Sequence, residues 1–313
     1  MKNPRRLFLN QIAGIAGIAA LNKPLASISS VSKQINTICS ADRAITIYNT
    51  NDLHGKIDAG YNKPGGLKAI KALLEDQDTS GLLVDAGDFL NSGHSPDQHK
   101  QMIGIMNGLG YCAATPGNHE LALGQANLAS LIPLMKFAMV NCNYRFDTAL
   151  RNLIKPYVII NTGKFKVGIT GVGQPVEGVV YNDAIACANK TAHLLKTEQN
   201  CDLVICLSHL GYKNDDGRPD NKKLASQSEG IDLIVGGHNR KVLAAPIVLF
   251  NKQKREVLLS QAGWDGLMMG KTVFHFEAKQ KSAIKAKHFL SGYPSNETFA
   301  ASVRALRLKE NAA

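Results

Sequence analysis

Five loops of the sequence carry side chains that could bind a metal ion, and each loop follows an apolar run. In chain order they contain Asp52 with His54, Asp88, Asn118 with His119, His209, and His238. Every one of these loops also contains a glycine. This mixture of nitrogen and oxygen ligands suits Zn²⁺, Mn²⁺ or Fe²⁺ better than Ca²⁺. One such residue would be a weak signal, but five in succession predict a site for divalent metal ions.

The position of Asp88 directly after an apolar run suggests how such a site could form. Leu82–Val84 predicts a buried strand, and Gly87 would let the chain turn sharply after it. A carboxylate at the strand tip has two oxygens and could bind one cation on each. Taken alone, Asp88 could equally cap a following helix or turn. Because strand ends collect at one edge of the sheet in α/β folds, the five loops together favour a shared site.

Hydrophobic periodicity supplies the elements that would carry these loops. An α/β fold is predicted, with strands over residues 44–48, 82–86, 111–115, 137–141, 157–161, 166–171, 202–207, 231–235, 246–250, 256–260, 268–277 and 283–290. Helices are predicted over residues 65–77, 97–109, 124–135, 183–198 and 295–309.

The first 30 residues differ in composition from the rest of the chain. They lack acidic residues and contain a basic patch with Arg5 and Arg6, an apolar segment over residues 12–21, and small residues around Ala26. This plan is typical of a secretory signal, and the arginine pair before Phe-Leu resembles the twin-arginine export motif. We therefore expect residues 1–30 to be an export signal, residues 31–313 to form one catalytic domain, and the protein to be periplasmic or otherwise exported. The apolar segment is too short for a stable membrane anchor.

The overall composition excludes some other classes of protein. The net charge is +11, but no lysine-arginine block with interleaved aromatic residues is present, so nucleic acid is not an expected partner. Six cysteines occur without a Cys-x-x-Cys pair, which argues against a zinc ribbon or a thioredoxin-like site.

The order of the motifs resembles that of calcineurin-like metallophosphoesterases. The matching stretches are Asn51–His54, Gly87–Asp88, Gly117–Glu120, Ser208–His209 and Gly237–His238. Within that superfamily the chain is similar to the catalytic domain of the 5′-nucleotidase and UDP-sugar hydrolase family, which Gly65–Gly66 and residues 261–270 also resemble. The resemblance implies a four-layer α-β-β-α sandwich of the metallo-dependent phosphatase type.

The resemblance also implies a role for each matched residue. Two divalent ions (Zn, Mn or Fe) would share Asp88 as a bridging ligand. The first ion would be held by Asp52 and His54, and the second by Asn118, His209 and His238. His119 would lie beside the phosphate, with Glu120 orienting its ring. Because His119 and Glu120 are adjacent, they could not both ligate one metal from a regular strand, which favours a supporting role for Glu120.

Arg240 departs from the family pattern. The family has histidine or glutamine at this position, as a ligand of the first metal, but a guanidinium cannot ligate and is always charged. Arg240 could point to solvent, bind the substrate phosphate as a clamp, or leave the first site too weak for activity. We favour a weakened but occupied first site.

A second departure is the length of the chain, which ends at Ala313 and does not include the nucleotide-specificity domain that follows in 5′-nucleotidases. Either the protein acts on other phosphoesters or a separate chain supplies that domain.

The expected function is that of an exported, metal-dependent phosphohydrolase. Its partner would be a small phosphorylated substrate, with a nucleotide favoured, attacked by a metal-activated water. One alternative is hydrolysis of another phosphodiester or of a sulfur ester within the same superfamily. The other is a non-catalytic accessory subunit with an impaired first metal site.

Overall fold

A computed structural model describes residues 43–59 and 64–291 of the chain. The predicted export signal (residues 1–30) and the predicted closing helix (residues 295–309) lie outside these ranges. Among the helices within them, none has the length and apolar character needed to cross a membrane.

Apolar runs with the expected periodicities form most of the elements. The strands are β1 (Ala44–Thr50), β2 (Leu82–Asp85), β3 (Tyr111–Ala114), β4 (Ala138–Met139), β5 (Tyr144–Arg145), β6 (Tyr157–Thr162), β7 (Phe165–Gly173), β8 (Val180–Tyr181), β9 (Leu203–His209), β10 (Leu233–Gly236), β11 (Ile247–Phe250), β12 (Glu256–Ser260), β13 (Met268–Glu277) and β14 (Gln280–Leu290). The helices are α1 (Leu67–Glu75), α2 (Pro96–Leu109), α3 (Asn118–Ala122), α4 (Gln125–Leu131, continued by a 3-10 turn over Ile132–Leu134), α5 (Ala184–Thr197) and α6 (Asn221–Gln227).

Twelve of these strands form two six-stranded sheets. The order is β14-β13-β1-β2-β3-β4 in the first sheet and β11-β12-β10-β9-β7-β6 in the second. Strands β1 to β4 are parallel to one another, as are β7, β9, β10 and β12. The outer strands β13, β14, β6 and β11 pair in antiparallel fashion. Strands β5 and β8 form a separate two-residue ladder.

The two sheets pack face to face and share a hydrophobic core. Ile47 and Val84 of the first sheet belong to one buried cluster with Val167, Ile205 and Leu233 of the second. A separate cluster packs α1, α2 and α4 against the first sheet, and a third packs α5 and α6 against the second. The four-layer α-β-β-α sandwich is therefore confirmed.

The parallel strands place the chemically active loops at one edge of the sandwich. The loops after β1 and β2 are joined by a bond from the Asp52 amide to the Gly87 carbonyl, at 3.0 Å. The Gly237 amide, after β10, donates to the carbonyl of Ser208 in β9 at 2.9 Å. Both sheets thus contribute loops to the same edge, as the strand-end pattern predicts.

The structure adds two short helices to the predicted elements. In α3, the Glu120 carboxylate accepts the amide of Gly117 at 2.8 Å, and this bond caps the first turn. Helix α6 follows Asp220, whose side chain accepts the amide of Lys223 at 2.7 Å. Helices of five and seven residues are too short to show a helical period in the sequence. As a result, Asn118 and His119 lie on the first turn of a helix and not in an extended loop.

Candidate metal centre

Strained backbone conformations are concentrated at this edge of the sandwich. Six of the non-glycine residues with positive φ lie here: Asp52 (52°), His54 (46°), Asp88 (56°), His238 (86°), Arg240 (52°) and Asp265 (52°). Left-handed conformations are unfavourable for residues with a Cβ, although aspartate and histidine tolerate them better than most. Such strain persists only where the surrounding structure holds it, and it is enriched at functional sites.

Asp88 lies at the centre of the site and is nearly inaccessible to solvent, with 2% of its surface exposed. Its Oδ1 accepts the His119 amide at 2.8 Å, and its Oδ2 lies 3.1 Å from Nε2 of His209 and 4.0 Å from Nε2 of His54. Burial alone would raise the pKa of Asp88, but His209 holds it below its ordinary value. Asp88 is therefore an ionised carboxylate with an imidazole on either side.

Glycine residues create the space for this arrangement. A Cβ at Gly117 would overlap Oδ1 of Asp88, and a Cβ at Gly87 would lie 2.9 Å from Nδ1 of His209. A Cβ at Gly237 would lie 3.0 Å from the same nitrogen. These glycines are required because the loops of the two sheets approach within van der Waals distance of one another.

His209 and His238 lie on one side of Asp88. Nδ1 of His209 donates to the Ala86 carbonyl at 2.7 Å, which directs Nε2 toward Asp88 and Asn118. Oδ1 of Asn118 lies 3.2 Å from Nε2 of His209 and 3.0 Å from Nδ1 of His238. Asp88, His209 and His238 offer ligand atoms that all lie within 4.8 Å of one another. The structure thus brings together all four residues expected around the second ion.

The electrostatics of this side fit a site for a cation. Burial would lower the pKa of His209, but Asp88 outweighs it and raises the pKa to about 10. Burial and the charge of His209 lower the pKa of His238 to about 4. His209 is therefore a proton-bearing partner of Asp88, and a metal bound at Nε2 would have to displace that proton.

His54 and His119 lie on the other side of Asp88. Their rings are 5.2 Å apart, and with Asp88 they form a second group whose ligand atoms lie within 4.8 Å of one another. Nδ1 of His54 lies 3.0 Å from Oδ1 of Asp265, which fixes the ring and leaves Nε2 facing the site. Carboxylate-bound histidines of this kind are common among metal ligands. Asp88 is shared by both groups.

Asp52 reaches the site but does not belong to either group. Its two oxygens each lie 3.0 Å from the amide of His238, and Oδ2 also accepts from Nδ2 of Asn51 at 2.7 Å. The carboxylate therefore ties the loop after β1 to the loop after β10. Its role as a ligand of the first metal stays a prediction.

The buried carboxylate of Glu120 is bonded to the backbone of the loops around it. Both carboxylate oxygens accept backbone amides: Oε2 accepts those of Asp88 (2.9 Å) and Gly117 (2.8 Å), and Oε1 accepts that of Leu90 (2.7 Å). The hydroxyl of Ser92 is the group that lies beside Nδ1 of the His119 ring, at 3.2 Å. Glu120 therefore fixes the Asp88 loop, and its role in orienting the ring of His119 stays a prediction.

Arg240 approaches the first group from the solvent side. Its Nη2 lies 3.4 Å from Nε2 of His54, and the side chain is otherwise exposed. The guanidinium therefore donates to the nitrogen through which His54 would bind a metal, so it does not simply point to solvent.

Asp265 and Ser92 are site residues that sequence reasoning missed. Asp265 is 211 positions from His54, and Ser92 is 27 positions from His119. Only the similarity of residues 261–270 to the 5′-nucleotidase family pointed toward Asp265. Ser92 left no signal, because a serine in a polar loop is ordinary.

The donor set fits divalent ions. His209 and His54 each use Nδ1 for a hydrogen bond to an oxygen, which leaves Nε2 directed at Asp88. Once a metal displaces the proton of His209, imidazoles supported in this way, together with a buried carboxylate and an amide oxygen, suit borderline metals such as Zn²⁺, Mn²⁺ or Fe²⁺. The residues present therefore fit a cation on each side of Asp88.

The site falls within a recognised sequence family. The family model of calcineurin-like phosphoesterases matches residues 45–239. A snake venom 5′-nucleotidase from Gloydius brevicauda is 30% identical over 236 residues, which are 66% of this chain and 39% of that protein. The chain spans about half, or less, of the length of the curated relatives it matches.

Solved structures give the same result for the fold. The 5′-nucleotidase precursor of Thermus thermophilus superposes with a TM-score of 0.69 at 25% identity, covering 86% of this chain and 59% of that one. The sulfate thiohydrolase SoxB of the same organism superposes with a TM-score of 0.64 at 18% identity, covering 83% and 60% of the two chains. At that identity the second match concerns the fold alone.

Proposed function

Because the chain belongs to the calcineurin-like phosphoesterase family, we propose that it is a metal-dependent phosphoric ester hydrolase of the 5′-nucleotidase type. The observation that carries this proposal is the shared position of Asp88 in both groups of ligand atoms. A carboxylate shared by two sets of imidazoles could ligate two ions at once.

The residues divide into two sets around Asp88. Asn118, His209 and His238 would hold one ion, and His54, with Asp52 as a further candidate, would hold the other. Two ions bound there would supply a water of lowered pKa as the nucleophile and positive charge to stabilise the phosphoryl oxygens. With such a water as the nucleophile, the reaction would not require a serine or cysteine side chain to attack the phosphorus.

His119 is accessible to an incoming substrate. It is only partly buried, whereas Asp88, His54 and His209 are buried. Burial lowers the pKa of His119, so at neutral pH its ring is uncharged and can donate a hydrogen bond to an oxygen of the phosphoryl or leaving group. The bond from its amide to Asp88 keeps the residue next to the bridging carboxylate.

A nucleotide is the favoured substrate class. Proteins similar to this chain are named as 5′-nucleotidases, and the positive charge of the exposed Arg240 beside His54 suits an anionic phosphoester. A panel of 5′-AMP, a UDP-sugar, a cyclic nucleotide and a sulfur ester would separate the candidate substrates. A separate chain could supply specificity for the base, and adding such a chain should lower KM for nucleotides only.

The proposed activity is tested by a metal count combined with a phosphatase assay. The purified chain should bind Mn²⁺ or Zn²⁺ and release phosphate from 5′-AMP or p-nitrophenyl phosphate. Asp88→Ala should abolish turnover, while Asp97→Ala, which removes an exposed carboxylate on α2, should leave it unchanged. A folded wild-type protein that binds metal but hydrolyses none of the substrates would instead support the accessory-subunit alternative.

Export is proposed on the basis of the leader sequence. Residues 1–30 fused to a reporter protein should direct it across the inner membrane of a bacterium, and replacing Arg5 and Arg6 by lysine should retain the reporter inside. Transport that does not depend on the arginine pair would leave a general secretory signal and remove the twin-arginine assignment.

A further inference from the structure

We infer that Arg240 makes metal binding on the His54 side conditional on an oxyanion such as phosphate. When no anion is present, the guanidinium donates a hydrogen bond to Nε2 of His54. When the guanidinium pairs with the phosphoryl group of a ligand, Nε2 becomes free to bind a metal. The inference rests on the proposed function, because it assumes that the His54 side binds a metal at all.

The hydrogen bonds of His54 show why its ring cannot serve Arg240 and a metal together. A carboxylate only accepts hydrogen bonds, so Nδ1 of His54 carries the proton that it donates to Asp265 at 3.0 Å. Nε2 then has a single lone pair. That lone pair faces Nη2 of Arg240 at 3.4 Å, and a guanidinium can only donate. A metal bound to His54 needs the same lone pair, so the two partners exclude each other.

Charge strengthens this competition. A guanidinium is always protonated in proteins, and next to His54 it would lie close to a divalent cation with the same sign of charge. The other group of ligand atoms, formed by Asp88, His209 and His238, has no contact with Arg240 among the hydrogen bonds and ion pairs of the described chain. We therefore expect one tight ion on the His209 side and one weak ion on the His54 side.

An oxyanion above the site would remove the conflict. The side chain of Arg240 is long and exposed. The left-handed backbone of this residue (φ 52°) constrains the main chain but not the position of the guanidinium. Its planar fork of donors matches two oxygens of a phosphate, whose remaining oxygens can face the metals. Phosphate and the weak ion should therefore bind cooperatively. By linkage, each raises the affinity for the other by the same factor, and about tenfold is a typical coupling.

Manganese titrations of the full chain test this inference. Free Mn²⁺ is followed by electron paramagnetic resonance, with and without inorganic phosphate. Wild type should bind one ion tightly and a second one weakly, and phosphate should tighten the second by about tenfold. Arg240→His should bind two ions without phosphate. In Arg240→Ala the second ion should bind without phosphate, and most of the tightening should be lost.

Arg218→Ala is the matched control. Arg218 is the other arginine whose charge acts on the site, through His238, and it is held in its loop by Asp216 at 2.5 Å. This variant should keep the full effect of phosphate. The same loss in Arg218→Ala as in Arg240→Ala would reduce the effect to general charge and overturn the inference.

Two further outcomes separate this inference from the proposed function. If wild type takes up two ions with equal affinity regardless of phosphate, the inference is wrong, while the proposed hydrolase survives. If neither wild type nor Arg240→His binds Mn²⁺, both fall together.

Discussion

At the scale of single residues, the position of Asp88 depends on neighbours that the sequence does not identify. The carboxylate fits because Gly117 has no Cβ, and its amide is held by Glu120. Residue types and strand ends predicted that Asp88 lies in the site. They could not predict that Asp52 and Glu120 would use their oxygens on backbone amides, because either hydrogen bonding or metal ligation satisfies a buried carboxylate.

We predict that Gly117→Ala displaces Asp88. The new Cβ would lie 2.7 Å from the Asp88 amide nitrogen and would overlap Oδ1, so the loop must shift. A displacement of about 1 Å at a catalytic group can cost roughly 100-fold in rate, and we expect a loss of that order in kcat/KM. Gly108→Ala is the control, because a Cβ there meets nothing within 4 Å. Activity that survives in Gly117→Ala would show that the loop relaxes without moving the carboxylate.

Glu120→Gln should loosen the same loop by a different route. Glutamine presents one accepting oxygen, whereas three amides now bond to the two oxygens of Glu120. At least one buried amide then loses its acceptor, at a cost of about 1–3 kcal/mol in the free energy of unfolding. Urea denaturation measures the loss, and metal affinity should fall as well. Glu256→Gln removes an exposed carboxylate on β12 and should change neither quantity; equal stability of both variants would contradict the prediction.

At the scale of elements, the length of each segment decided what the sequence could predict. Strands such as β1 and β9 and helices such as α2 and α5 are long enough for their period to be read. Helices α3 and α6 and the β5–β8 ladder are too short for a helical or alternating pattern to be recognised in the sequence. Their formation depends on tertiary contacts, as in α6, where Oδ1 of Asn221 accepts the hydroxyl of Ser208 at 2.6 Å.

The two aspartate N-caps should differ in their contribution to stability. Asp183 caps α5 from an exposed position with one bond, to the Ala186 amide at 2.7 Å. Asp220 is buried and accepts both the Lys223 amide at 2.7 Å and the Asn214 amide at 3.0 Å. We expect Asp183→Ala to cost about 1 kcal/mol and Asp220→Ala about 2 kcal/mol or more in the free energy of unfolding.

Urea denaturation of both alanine variants tests this order. Asp183→Asn is the control for the exposed cap, because asparagine is also a good N-cap and should recover most of the loss. Asp220→Asn should recover only part, because its single accepting oxygen cannot serve both the Lys223 and the Asn214 amide. A larger loss in Asp183→Ala than in Asp220→Ala would show that the buried cap is replaced by other contacts.

At the scale of the whole molecule, the site exists because two sheets meet. Asp88 and His54 come from the first sheet, and His209 and His238 come from the second. Parallel strand order explains why the loops share an edge. Which loops face each other depends on contacts across more than 120 positions, such as Nδ1 of His209 with the Ala86 carbonyl. Period and spacing carry no such information, and the assignment of partners in the sequence came from the family resemblance.

A buried histidine near the same edge links the two sheets. His288, on β14 of the first sheet, donates from Nδ1 to the Leu243 carbonyl at 2.8 Å, and its Nε2 lies 2.9 Å from the hydroxyl of Ser260 in the second sheet. Burial lowers the pKa of His288 from 6.5 to about 4. Below pH 6.5 the unfolded chain therefore takes up a proton that the folded chain refuses.

The stability of the sandwich should consequently fall as the pH drops. The contribution of His288 is fully present above pH 6.5 and is lost progressively toward pH 4, by roughly 3 kcal/mol in all. Urea denaturation of metal-free protein across this range measures it. His288→Gln cannot titrate, so its free energy of unfolding should decline less steeply than that of wild type, whereas His193→Gln, at an exposed position on α5, should follow wild type. Parallel curves for wild type and His288→Gln would mean that the folded state accommodates a charged ring between its sheets, and acid sensitivity would then come from other groups, such as Asp88 and His238.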